Sequence, residues 1–239
     1  MNVKNLHHWN ISSEEAIYLQ RKLREKLVLA DDNNTESFSI VAGADISYSK
    51  GSSVTFAAVV LMRYPEMETI EESFNIQETC FPYIPGLLTF REGPALLGAF
   101  KGLKHSPDAI IFDGQGIAHP RGIGLASHMG LFLNIPAIGC AKTRLIGTHD
   151  SVGPQRGDLS CLRHNSQIIG AVLRTKSGVK PVFVSQGHRI SLERSVNLVL
   201  SCCRGYRLPE PVRTAHLAVN QLRLKTNNPS TASQNKLRR

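Results

Sequence analysis

The chain has no apolar run approaching the roughly 18 residues that a spanning helix requires. Its opening residues, Met1-Asn2-Val3-Lys4-Asn5, lack the apolar core of a signal peptide. A soluble, unexported, cytoplasmic protein with no membrane partner is expected. Cysteine is scarce: the five, at 80, 140, 161, 202 and 203, are odd in number and form no C-x-x-C pair. That disfavours both a disulfide framework and a thiolate zinc site. Neither G-x-x-x-x-G-K-S/T nor G-x-G-x-x-G occurs, which argues against a nucleotide triphosphatase and a dinucleotide oxidoreductase. There is no internal repeat. Acid is short as well, since 19 Asp and Glu against 28 Lys and Arg leave a net charge of +9. Such a balance points to a polyanionic partner, nucleic acid above all. Five of the positives (Arg223, Lys225, Lys236, Arg238, Arg239) fall in residues 221–239, which hold no acid. The body is therefore only mildly basic.

What is present suits one domain, because 239 residues at 41% hydrophobic form a single core more readily than two. Ser12-Ser13-Glu14-Glu15 offers a capping box, and Ile17, Leu19, Leu23 and Leu27 interleave with basic residues as an amphipathic opening helix. A polar stretch over 31–36 precedes three strands, 38–46, 54–62 and 68–79, joined by turns at Lys50-Gly51 and Tyr64-Pro65 as an antiparallel meander. A helix over 92–104, a short strand 108–112, a helix near 122–134 and a strand 137–141 follow in βαβ order. Extended segments near 166–174 and 180–185 and helices near 191–201 and 210–222 complete the domain. The predicted fold is α/β: a ribonuclease H-like mixed sheet, an antiparallel meander then parallel strands, flanked by helices. Residues 1–224 form one catalytic domain and 225–239 a basic, disordered tail. A monomer is expected.

Asp45 stands near the end of an otherwise apolar strand, where a carboxylate is costly unless paired or bound to a cation. Asp113 follows Ile110-Ile111-Phe112, at the strand end where ligands of open α/β sheets bind, and Gly114-Gln115-Gly116 lets a ligand approach the backbone. Glu92, at the mouth of the next helix, can supply a third oxygen. Three carboxylates without cysteine suit Mg²⁺, with Mn²⁺ able to substitute. On a basic protein the matching substrate is a phosphodiester. Prolines on both sides of Tyr83-Ile84 stiffen that loop into a rigid aromatic tip.

The block Asp113-Gly114-Gln115-Gly116-Ile117-Ala118-His119-Pro120-Arg121-Gly122, then Gly124-Leu125-Ala126-Ser127-His128, resembles endonuclease V, the deoxyinosine-specific repair nuclease family. The likeness extends to Gly43-Ala44-Asp45-Ile46-Ser47-Tyr48, Pro82 through Leu88, Phe90-Arg91-Glu92, Gly139-Cys140-Ala141-Lys142 and Thr214-Ala215-His216. It implies Mg²⁺-dependent hydrolysis of the second phosphodiester 3′ to a deaminated adenine, with the base flipped out of the stack. By the same resemblance, Asp45, Glu92 and Asp113 are metal-binding and catalytic, and His216 and Lys142 are catalytic. Pro82, Tyr83, Ile84 and Pro85 would form a strand-separating wedge. Gly86, Leu88, Gly114, Gly124, Gly139 and Leu145 would line the pocket for the flipped hypoxanthine. His119 and His128 read as structural or phosphate contacts. The partner implied is DNA containing deoxyinosine. The same chemistry on inosine RNA is the nearest alternative, since contacts to a 2′-hydroxyl are not legible in sequence. A non-catalytic nucleic-acid-binding module is the alternative from another class, and the three acids speak against it.

Overall fold

The computed structural model describes residues 1–31, 37–49 and 51–227. Lys50, most of the polar stretch at 31–36 and the tail from 228 onward lie outside those residues. Helix α1 (Ser13–Arg24) begins at the expected capping box: Ser12 Oγ accepts the Glu15 N–H, and the Glu15 carboxylate accepts the Ser12 N–H at 2.8 Å. Strands β1 (Ile40–Tyr48), β2 (Val54–Arg63) and β3 (Glu68–Glu78) form the antiparallel meander. Then come α2 (Leu88–Lys101), β4 (Ala109–Phe112), α3 (Leu125–Leu133) and β5 (Ala137–Ala141). The chain closes with β6 (Leu159–His164), β7 (Gln167–Leu173), β8 (Val182–His188), α4 (Leu192–Ser201) and α5 (Glu210–Asn227). All eight strands join one sheet in the order β3-β2-β1-β4-β5-β8-β7-β6. Strand β4 lies parallel between β1 and β5, while β8 runs antiparallel to β5. This is the ribonuclease H-like arrangement, with β6 to β8 as an antiparallel extension. Among the described residues, no helix is long and apolar enough to cross a membrane.

Period-two alternation divides the central strands between two apolar layers. Ala42, Ala44, Ile110 and Phe112 face a core shared with Leu96, Phe100 and Met129 of α2 and α3. Val41, Ala109 and Ile111 face Val196, Val199 and Val212 of α4 and α5. Because helices cover both faces, β4 is buried along its whole length and reads as a continuous apolar run. Gly43 shows how closely α5 crosses β1: a Cβ there would lie 2.0 Å from the Pro211 backbone. Asp45, two residues on, points to the same side and so meets α5.

The structure departs most from the sequence reading at three elements, besides shifts of two or three residues at β1 and β8. Helix α2 starts at Leu88, so Pro94 lies inside it and Glu92 sits in its second turn rather than at its mouth. Burial of Thr89, Phe90 and Gly93 outweighs the preference of proline for a first turn. Strand β6 has no counterpart in that reading: it is a short edge strand with four of six residues partly or fully exposed, and its turn to β7 uses Asn165 and Ser166 at positive φ without a glycine. Helix α5 continues to Asn227, which makes Lys225 helical rather than part of a tail.

Candidate active site

Pairing of β1 with β4 ends at Ala44 and Phe112, so the next residue of each strand, Asp45 and Asp113, emerges at the same edge. The Asp113 N–H still donates to the Ala44 carbonyl at 3.3 Å, which ties the two turns together. Strand β5 ends alongside, and Lys142, the first residue after it, forms an ion pair with Asp113. From the face of α5, His216 Nδ1–H donates to Asp45 Oδ2 at 2.7 Å, and the His216 carbonyl accepts the Asn220 amide at 2.8 Å. Asp45, Asp113 and His216 each offer one ligand atom within 4.8 Å of the others.

Glu92 does not join that mutually close set, although the sequence reading grouped it with Asp45 and Asp113. Its carboxylate accepts the Tyr48 O–H at 2.6 Å, which holds it one helix turn inside α2. It nevertheless feels both acids. Burial pushes the Glu92 carboxyl up to about 8, with further increments from Asp45 and Asp113 and opposition from the Tyr48 hydrogen bond. Asp45 is also raised, by burial first and then by the charge of Asp113, with His216 opposing. Carboxylates this close and this dry are unfavourable as bare anions. A hard divalent cation offsets that repulsion, and the carboxylate oxygens suit it.

Beside the acids lies a cavity of about 120 Å³, lined by Gly86, Leu88, Gly124 and Leu145 from the sequence-predicted pocket and by Tyr83, Thr89, Gln115, His119 and Leu125. Gly114 and Gly139 do not line it. Gly139 instead lies beneath the loop after β4, where a Cβ would come within 2.3 Å of the Gly116 nitrogen and 2.7 Å of the Gly114 carbonyl. These glycines let two backbones meet behind the cavity.

The loop 79–87 carries the predicted wedge. Ile84-Pro85-Gly86-Leu87 forms a turn in which Leu87 N–H donates to the Ile84 carbonyl at 2.9 Å, and Gly86 takes φ +80°. Proline then glycine at the two central positions is the type II pattern. Its Gly86 carbonyl accepts from Gln20 Nε2 and Arg121 Nη2, with His119 Nε2 also in hydrogen-bonding range at 3.0 Å, so the turn is clamped from below. Tyr83, at the tip, is 70% exposed and supports nothing in the core.

Tyr48, Gln115, His119 and Arg121 lay within the quoted motifs but were given no catalytic or pocket role. His119 is buried and held well below the ordinary imidazole value, at about 4, by burial and then by Arg121. It is neutral and clamps the wedge turn. His128 is fully buried among His7, Trp9, Phe90 and Phe132, with its Nε2 2.9 Å from His7 Nε2, and is structural.

Paired acids where two adjacent strands of a ribonuclease H-like sheet part, with lysine and histidine beside them, define a metal-dependent nuclease. The family model for endonuclease V matches residues 21–217. Endonuclease V of Dehalococcoides mccartyi strain CBDB1 is 52% identical over 222 residues, covering 93% of this chain and 99% of that one. The crystal structure of endonuclease V from Streptomyces avermitilis matches with a TM-score of 0.88 at 36% identity, over 95% of this chain and 100% of that one. Ciona intestinalis endonuclease V, solved with a 23mer DNA containing an inosine followed by a ribo-adenosine, matches with a TM-score of 0.80 at 28% identity, over 90% and 100% of the two chains. The chain belongs to the endonuclease V family, and is a metal-dependent DNA repair endonuclease.

Proposed function

We propose that the protein recognises deoxyinosine in DNA, flips the hypoxanthine into the cavity beside the acids, and hydrolyses the second phosphodiester 3′ to it, leaving 3′-hydroxyl and 5′-phosphate ends. The observation that carries this reading is adjacency: Gln115, two residues from Asp113, lines the same cavity as Tyr83 of the rigid loop. Asp45 and Asp113, with Glu92 and His216 beside them, would hold Mg²⁺, which when bound would supply positive charge to the scissile phosphate and acidity to an attacking water. Lys142, oriented by Asp113, offsets phosphate charge. His216, oriented by Asp45 at Nδ1 and flanked by Asn220 at Nε2, stands beside the acids as the proton-relay candidate. Tyr83 fills the gap left in the base stack, while the aliphatic walls of Leu88, Leu125 and Leu145 exclude water around the extruded base.

End-mapped incision of an inosine duplex, its adenine-matched control and an inosine RNA, with Mg²⁺, tests the reading. Cleavage of the inosine duplex alone at the second 3′ bond is expected. Equal cutting of the adenine duplex contradicts base recognition, and faster cutting of RNA transfers the activity to the endoribonuclease alternative.

A further inference from the structure

On the far side of the cavity wall lies a second, wider groove of about 400 Å³. The two share His119, and Leu145 lines the cavity while its neighbour Ile146 lines the groove. One loop therefore runs from the acids at Asp113, past the cavity at Gln115 and His119, to the groove at Arg121 and Gly122. Among the described residues, no Asp or Glu lines the groove. Its polar walls are the donors Arg24 and Arg121 on one side and His164, Asn165 and Gln167 of the β6–β7 hairpin on the other.

Arg121 is partly engaged by Gly86 and Gln20, and burial followed by the charge of Arg21 holds its guanidinium below the ordinary value. Arg24, His164 and Gln167 are different: among the described residues, none of their side chains has a hydrogen-bond or ion-pair partner. The side chain of Arg24 lies over Gly122, where a Cβ would come 2.6 Å from its Nε, so it is seated rather than free in solvent. Cations gathered with no counter-charge, and walled by neutral donors, fit a chain of phosphates.

We infer that this groove binds the phosphodiester backbone of the substrate strand on the 5′ side of the flipped base. The polarity rests on the proposed function: with the cleaved 3′ bond at the acids and the base in the cavity, the strand continuing past His119 is the 5′ flank.

Binding in Ca²⁺ tests it, using single-stranded inosine oligonucleotides with a long 5′ flank, with none, or with the 3′ flank trimmed instead. On the long 5′ flank, Arg24→Ala and Gln167→Glu should each weaken binding about tenfold. Arg24→Ala should also lower the salt slope by about 0.7. Without the 5′ flank, both variants should match the parent protein, and trimming the 3′ flank should leave their defects in place. Defects that persist without the 5′ flank, or that follow the 3′ flank, overturn the assignment. A parent protein that prefers inosine over adenine yet ignores the 5′ flank overturns the groove alone. A parent protein with no inosine preference removes the base-pocket reading and the polarity built on it.

Discussion

The acid cluster and the cavity beside it are built in opposite ways. Asp45 and Asp113 are the residues just past the point where the parallel pairing of β1 with β4 stops, so their positions follow from that register, although β1 itself runs on to Tyr48 against β2. The cavity is built mainly from two loops, 79–87 and 113–124, with the first residues of α2 and α3 and Leu145 closing it, and its shape depends on a proline, close-packed glycines and a carbonyl clamped by Arg121 and Gln20. Regular structure fixes the group that must hold charge at a set spacing; in the proposed function, loops fix the surface that matches a base. Chemistry and recognition should therefore fail separately.

The largest expected effect is on chemistry. Asp113→Asn and Asp45→Ala should each lower incision at least about a thousandfold, with circular dichroism and melting little changed, because each removes a costly carboxylate. Near-normal incision by either variant would refute their assignment as ligands. On the recognition side, Tyr83→Ala should lose the roughly 1–3 kcal/mol of base stacking, or about one to two orders of magnitude in affinity. The loss should be larger on duplex than on single-stranded inosine DNA, and an equal loss on both would show that Tyr83 is no wedge.

Gly139→Ala tests whether strand and loop are as tightly coupled as the 2.3 Å clearance implies. Overpacking there should cost about 1–3 kcal/mol in urea unfolding, and an unchanged midpoint would show that the loop yields freely. The smallest effect concerns Glu92 in chelator. Its carboxyl binds a proton more tightly in the folded protein than in the unfolded chain, at about 8 against 4.5. Stability is thus fully present below about 4.5 and falls as pH rises towards 8. Glu92→Gln should melt a few degrees above the parent at pH 8, with the advantage vanishing near pH 4.5, and a lower melting temperature at pH 8 would contradict the repulsion.

The same contrast decides what was legible in sequence. Asp45 and Asp113 stood out because acids at the ends of apolar runs break a periodic pattern, and the meander and βαβ order followed from the same periodicity. The start of α2 was misplaced because Pro94 carries a strong local signal for a first turn, whereas the burial of Phe90 and Thr89 that overrides it is tertiary. The sequence therefore places Glu92 at the mouth of the helix, whereas it lies in the second turn of α2 with Tyr48 as its partner. Strand β6 left no glycine turn and little apolar alternation. Gly86, Leu88, Gly124 and Leu145 line the cavity while Gly139 packs against the loop after β4, a difference of packing that the family resemblance does not carry.

The most direct test of separable chemistry and recognition is the ratio of inosine to adenine binding by Asp113→Asn, measured in Ca²⁺ beside the parent protein. The account predicts the same ratio for both, with incision in Mg²⁺ lost only in the variant. A ratio that collapses in Asp113→Asn would mean that the acids themselves read the base, and would contradict the division between sheet and loops.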